Sequence, residues 1–346
     1  MADDASAVGG VPLRPTFDAG NDMLLTRPMP DELAVAHEGR LAVLNDCVEV
    51  CALYNLLEAE LAQRGLDPLR FPKLHQLALV SGLTPHVYAR LHTLLPATRV
   101  DCRDGDDAPH GTETSRQSKA RIRRSPQTMQ AYCCPTCVEE DLREWGFSWF
   151  RRFHHIRGFD WCPVHRHALS AVDSSSAFYK LPHQWLQEGR TSPIETAEDE
   201  LVAGGVLDRY VSIYMALLDR DRPVIRSVIR PKLVAAAKTR GLATSTKPNL
   251  FRLSDLVAEV VPARWLTRHI ASWHLKIPRT FLQHVDVPLR GVNDRAASDA
   301  VVLAAAVLLP SAGEGIGLLT GSLSAALQVA SARRAPARGS SEAVVA

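Results

Sequence analysis

Two tetrapeptides, Cys134-Pro-Thr-Cys137 and Cys162-Pro-Val-His165, stand between two long stretches of helical periodicity. Together they predict a mainly α protein with three parts: a helical N-terminal domain containing a helix-turn-helix-like pair, a small zinc-ribbon or knuckle module, and a helical C-terminal domain. Apolar residues recur at three- and four-residue steps through 31–62 and again beyond 200. Polar or Gly/Ser-containing stretches at 97–130, 170–177 and 191–200 separate the parts. The domain reading is 1–20 disordered, 21–96 helical, 97–130 linker, 131–170 zinc module, 195–330 helical and 331–346 a disordered tail.

The elements follow in order. Residues 1–20 are small, polar and aperiodic. Leu33, His37, Leu41, Leu44 and Val48 begin a helical stripe that Leu53, Leu56, Leu57 and Leu61 continue to Gly65. Within 71–95, Lys73–Val80 reads as a short helix and Ser81-Gly82-Leu83 as a tight turn. Thr84 is an N-cap and Pro85 the first residue of a second helix ending near Leu94. This is either a DNA-reading pair or a plain αα-hairpin, since only His86 and Arg90 stand free to read a groove. Beyond 200, helices are predicted over 201–218, 232–240 (stopped by Gly241), 255–261 (capped by Ser254), 263–270 and 296–309. The apolar run 300–309 is too short to span a bilayer and reads as a buried helix.

The totals bound the function. With 346 residues, 46% hydrophobic and 23% charged, the chain is long enough for two or three soluble domains. An acidic N-terminus with no apolar segment behind it argues against a signal peptide and places the protein in the cytoplasm, away from membranes. Seven unevenly spread cysteines do not form a disulfide framework and suit metal binding in a reducing compartment. The net charge of +2 hides local patches. Residues 101–107 hold four aspartates, 116–124 hold five basic residues, and seven Arg/Lys face two Asp between Asp219 and Arg240. Such patches suit polyanion contact at defined places.

The two tetrapeptides form a two-knuckle tetrahedral pattern. Two residues between donors let a tight turn aim both side chains at one ion, and proline after the first donor fixes φ without adding an N–H. Three thiolates and one imidazole, Cys134, Cys137, Cys162 and His165, suit a structural Zn2+ site. Cys133 is an alternative to Cys134, and His167 to His165, but only 134/137 and 162/165 keep the matched frame. All four vertices are filled by protein, so zinc-assisted hydrolysis is disfavoured. Between the knuckles, 145–161 is rich in Trp and Phe interleaved with Arg151, Arg152, Arg157, His154 and His155. Its aromatics are either a nucleic-acid or peptide surface or the core of a metal-stapled module. The candidate nucleic-acid or partner contacts are Arg121, Arg123, Arg124, Arg151, Arg152, His154 and Arg90.

The run Cys134-Pro-Thr-Cys-Val-Glu-Glu-Asp141, then Gly146-x-x-Trp-x-Arg-x-x-His154, Gly158, Cys162-Pro-Val-His165 and Leu169, resembles the signature of the TniQ family. The resemblance extends to 27–33 and 81–85 and so covers roughly residues 23–170. Trp149 stands where tyrosine is common, and His155 where glutamine usually follows the histidine. The resemblance implies a non-catalytic transposition adaptor that helps select the target site. Its implied partners are DNA or a guide-RNA complex, an AAA+ ATPase and, through that ATPase, a transposase. The absence of a GxxxxGK[ST] phosphate loop agrees with ATP hydrolysis residing in a partner. Rival readings are a zinc-containing DNA-binding regulator outside transposition and a zinc hydrolase. Whether the chain forms a homodimer is left open by the sequence.

Overall fold

The computed structural model describes residues 23–47, 49–112, 130–196, 200, 202–290 and 294–321. The predicted disordered ends, 1–20 and 331–346, lie outside these residues, as does the basic run at 116–124. The fold is mainly α, as the sequence predicts.

In the first part, α1 (Ala34–Leu44) and α2 (Val50–Gln63) share the predicted stripe. They are divided at Asn45-Asp46, a break the periodicity does not announce. The Asn45 amide donates to Leu41 O at 2.8 Å and to Leu24 O at 3.0 Å, taking a terminal carbonyl of α1, and Asp46 turns the chain with φ 52°. The pair α3 (Lys73–Val80) and α4 (Pro85–His92) has the predicted turn chemistry. Gly82 takes φ 71°, and Thr84 Oγ1 accepts from Val87 N at 3.3 Å. Leu41, Leu53, Leu57, Leu61, Leu77, Ala78 and Tyr88 close a small core among these four helices.

A larger core runs from Leu33 to Leu319 and takes in Cys133, Cys134, Cys137 and Cys162. At its centre α13 (Ser298–Leu308) is buried on every side from Ala300 to Leu308, which accounts for the apolar run. It packs against α8 (Val206–Leu218), α9 (Arg226–Thr239) and α14 (Ala312–Thr320). Short helices α10 (Leu253–Val260), α11 (Ala263–His269) and α12 (Gln283–Asp286) complete this layer. Ser254 does not cap α10. Arg252 holds the N-cap position, and Ser254 gives both its N–H and its hydroxyl to the Asp286 carboxylate, at 2.8 Å each.

Three stretches read as linker or loop contain strands. From the linker, β1 (Val100–Cys102) pairs in parallel with β5 (Val224–Ile225), just before α9. An antiparallel sheet orders β2 (Tyr132–Cys133), β3 (Ser170–Val172) and β4 (Thr191–Pro193) side by side, so the knuckle region continues past 170. Strands of two or three residues are too short to show alternation, which is why the sequence does not reveal them.

Buried charge ties the linker to the last third. Asp101, fully enclosed with φ 67°, accepts from Arg230 at 2.7 Å and 2.8 Å and from Arg226 at 3.1 Å. It also accepts from Ala296 N at 2.9 Å.

Candidate metal centre

The two tetrapeptides meet. β2 delivers the chain to Cys134, which is the N-cap of α6 (Pro135–Trp145), and Pro135 occupies the first helical position. Cys137 follows in the first turn. The second knuckle is a tight hairpin: Arg166 N donates to Cys162 O and Cys162 N to His167 O, both at 2.8 Å, while Trp161 bridges Ala168. The donor atoms of Cys134, Cys137, Cys162 and His165 all lie within 4.8 Å of one another.

The spacing fits a tetrahedral ion. Bonds of about 2.3 Å to sulfur and about 2.0 Å to nitrogen place S···S edges near about 3.8 Å and S···N edges near about 3.5 Å. Cys137 and Cys162 sulfurs are 3.7 Å apart, and His165 Nδ1 lies 3.3, 3.5 and 3.7 Å from Cys137, Cys134 and Cys162. The four donors could therefore hold a metal ion, and they leave no vertex for a water.

The thiols have a conflict that a cation resolves. Hydrogen bonds from Cys137 and Cys162 hold Cys134 well below the usual thiol range. Cys137 is pushed up by its bond to Cys134, and Cys162 for the same reason to about 12. One thiolate is thus favoured at the expense of the others, whereas a bound divalent ion lets all three ionise.

Neighbours aim the donors. Glu140, one turn along α6 from Cys137, places Oε2 3.1 Å from His165 Nε2, which sets Nδ1 toward the sulfurs. His154 Nε2 lies 4.0 Å from Cys137 Sγ. The alternatives are otherwise engaged: Cys133 is buried in β2, where burial raises its thiol to about 12, and His167 Nδ1 meets Thr136 Oγ1 at 2.9 Å. Glu140 was not singled out from the sequence; its place one turn after Cys137 on an amphipathic helix is the signal that could have found it.

Most of the aromatic stretch between the knuckles packs inward, while Trp145 at its start is half exposed. Phe150, Phe153, Phe159 and Trp161 are buried, and Phe159 meets Tyr214 of α8 edge-on at 6.1 Å. Gly158, with φ 86°, lets the backbone touch that layer. A Cβ there would sit 2.6 Å from Trp265 of α11 and 3.1 Å from Tyr210 of α8. Trp265 Nε1 donates to Gly158 O at 3.0 Å and Tyr210 OH to Arg157 O at 2.9 Å.

The cations expected to meet a polyanion are placed differently. Arg121, Arg123 and Arg124 lie outside the described residues. Arg152 is 2% exposed; its guanidinium reaches Asp31 at 2.7 Å and the carbonyl of Arg90, and burial corrects the polyanion reading for it. The same correction holds for His154, which is buried and kept neutral by desolvation. Arg151 is paired with Asp141 and lies 4.8 Å over the Trp149 ring. Arg90 Nε meets Asp221 at 3.2 Å. No residue of α4 is fully exposed, because the loop around Gly111 packs on it: a Cβ at Gly111 would lie 2.5 Å from Pro85 O. His86 Nδ1 is 2.9 Å from His110 O in the same loop.

Among the described residues, no helix is long and apolar enough to cross a membrane. No curated protein matches the chain. The TniQ family model matches residues 24–169, a span that holds the α3–α4 pair and all four donors. Over residues 24–169, somewhat less than half of the chain, the sequence is similar to the TniQ family.

Proposed function

We propose that the protein is a non-catalytic transposition adaptor whose metal is a structural Zn2+. It helps select the target site, recruits an AAA+ ATPase, engages a transposase through that ATPase, and contacts DNA or a guide-RNA complex, all in the cytoplasm. The observation that carries this reading is the closed Cys3His cage inside the span that matches the family. A cage whose four vertices are protein atoms organises a surface rather than activating water. Similarity to the family supports the association with transposition, and the buried Arg152 and His154 leave recognition to other surfaces of the chain.

The test is capture of partners by the tagged full chain from cells that also make an AAA+ transposition ATPase and its transposase, with and without nuclease. The adaptor reading expects the ATPase to be retained after nuclease, and the transposase only when the ATPase is present. Loss of the ATPase under every condition would overturn it.

A further inference from the structure

The stretch from Arg222 to Ser254, between Asp221 and Asp255, contains no acidic residue. α9 and the loop that follows it sort its cations into two sets. Arg226, Arg230 and Arg252 are buried. The first two end on Asp101, and Arg252 donates to the carbonyls of Ser245 and Lys247, fastening the loop from within. Arg222, Lys232, Lys238, Arg240 and Lys247 are exposed. None of these five makes an ion pair among the described residues.

Lys232 and Lys238 lie on the outer side of α9. The inner side of α9, with Ile229, Leu233 and Ala237, is in the core. Lys232 and Thr239, seven residues apart, share the outward stripe, Lys238 flanks it, and Lys238 lies about 9 Å along the axis from Lys232. Arg240 and Lys247 follow in the chain and are both exposed. After burial, Arg240 is the next cause holding the Arg209 guanidinium below its usual range, so like charges are kept close here. Asp104 bonds Ser227 at the other end of α9.

Surface chemistry discriminates among polyanions. Residues 222–250 contain no Phe, Trp or Tyr, and Phe251 just beyond them is a single ring, too little to build the stacking platforms that hold single strands. The larger apolar side chains of α9 are buried, and Val228, Pro231 and Ala235 on its outer side offer too little apolar area to enter a lipid surface. What remains is a row of point charges with neighbouring hydroxyls, which suits regularly spaced phosphates.

We propose that the outer face of α9 and the loop through Lys247 binds the phosphate backbone of duplex DNA. This site lies outside the span that matches the family and rests on the adaptor reading that the protein meets nucleic acid. It carries charge without base-reading side chains, so it adds affinity and orientation rather than sequence choice.

The test compares the full chain with a Lys232→Gln, Lys238→Gln, Arg240→Gln, Lys247→Gln variant by fluorescence anisotropy. The probes are a duplex of about 30 bp, a single-stranded RNA and anionic vesicles, at roughly 50 to 200 mM salt. The expected result is at least about tenfold weaker duplex binding and a log–log salt slope shallower by about 3.6, four contacts at about 0.9 each. An unchanged slope overturns the proposal, as does a wild-type preference for RNA or vesicles. The thermal midpoint of the variant should match wild type, so a folding loss cannot mimic the result. An unchanged slope with ATPase capture intact sinks this face alone; lost capture with the expected slope change sinks the adaptor reading alone.

Discussion

Two basic stretches of the chain look alike in composition and are used in opposite ways. In 145–161 the guanidinia turn inward or against acids: Arg152 onto Asp31 and the Arg90 carbonyl, Arg151 onto Asp141, and Arg157 onto Asp299 at 3.2 Å and the His269 carbonyl at 2.6 Å. In 222–252 the buried cations are braced and the others face solvent unpaired. The difference comes from the neighbours. Phe150, Phe153, Phe159 and Trp161 must be buried; they carry Arg152 inside, where an unpaired charge is too costly to keep, and bring Arg151 and the half-exposed Arg157 against acids. On the outer side of α9 the exposed apolar residues, Val228, Pro231 and Ala235, are small and stand among lysines, so that side stays wet. Aromatic interleaving therefore marks internal braces here, and an acid-free amphipathic helix marks an accessible face.

The largest way to break the comparison is Cys137→Ser. Structural zinc contributes on the order of 10–16 kcal/mol in small zinc peptides, so the variant should lose the ion and unfold the knuckle region. Metal analysis and near-ultraviolet circular dichroism check this. Wild type should carry one ion per chain, and the variant none, with the buried tryptophan signal lost. Full occupancy in the variant would show the donor set to be wrong.

Next come the internal braces. Asp101→Asn leaves Arg226 and Arg230 without their carboxylate and should cost about 3–5 kcal/mol in denaturant unfolding. Arg152→Met should cost less, about 2–3 kcal/mol, because Asp31 is partly exposed and can rehydrate. A loss below about 1 kcal/mol in both would mean that these charges do not hold the layers together.

How much of this was legible in the sequence follows from the range of each interaction. The cage was, because its donors come in two local turns whose spacing states the geometry. So were the α3–α4 pair, stopped and started by Gly82 and Thr84-Pro85, and α13, whose apolar run allows only burial. The break at Asn45-Asp46 was not, because the stripe continues on both sides and one side-chain amide decides the turn. Asp101 was read as one of four linker aspartates, and nothing local announces partners more than a hundred residues away. Arg152 and His154 looked available only while the packing of 145–161 on α8 and α11 was unknown.

Histidines sharpen the contrast with a smaller effect. His37, His92 and His110 are buried in the N-terminal half, and desolvation lowers them to about 3, 4 and 3. Unfolded histidine titrates near 6.5, so below that pH the unfolded state binds protons that the native state refuses. Their contribution is fully present above about pH 6.5 and is lost as pH falls toward about 3. Between pH 7 and 6 each should remove roughly 0.7 kcal/mol, about 2 kcal/mol together, read as a falling urea midpoint. His154 and His155 are lowered by burial as well and add to the measured fall, so His37→Asn should shrink it by about a fifth. A fall of unchanged size in the variant would assign the pH dependence to other groups.

The smallest effect is expected where charge is most abundant. Lys238→Ala with Arg240→Ala removes two full charges, yet unfolding free energy should stay within about 0.5 kcal/mol of wild type. Two minor terms oppose each other. Cations in and just past the last turn of α9 favour the helix dipole by a few tenths of a kcal/mol each. Removing Arg240 also relieves its repulsion of Arg209, whose guanidinium is fixed by Gly204 O and Ala306 O, both at 2.9 Å. Neither lysine nor arginine leaves a buried partner behind, which is what made Asp101 expensive to lose. A drop above about 1 kcal/mol would show that these residues brace the fold as Arg226 and Arg230 do, and the division between inner and outer cations would fail at the point where it is drawn.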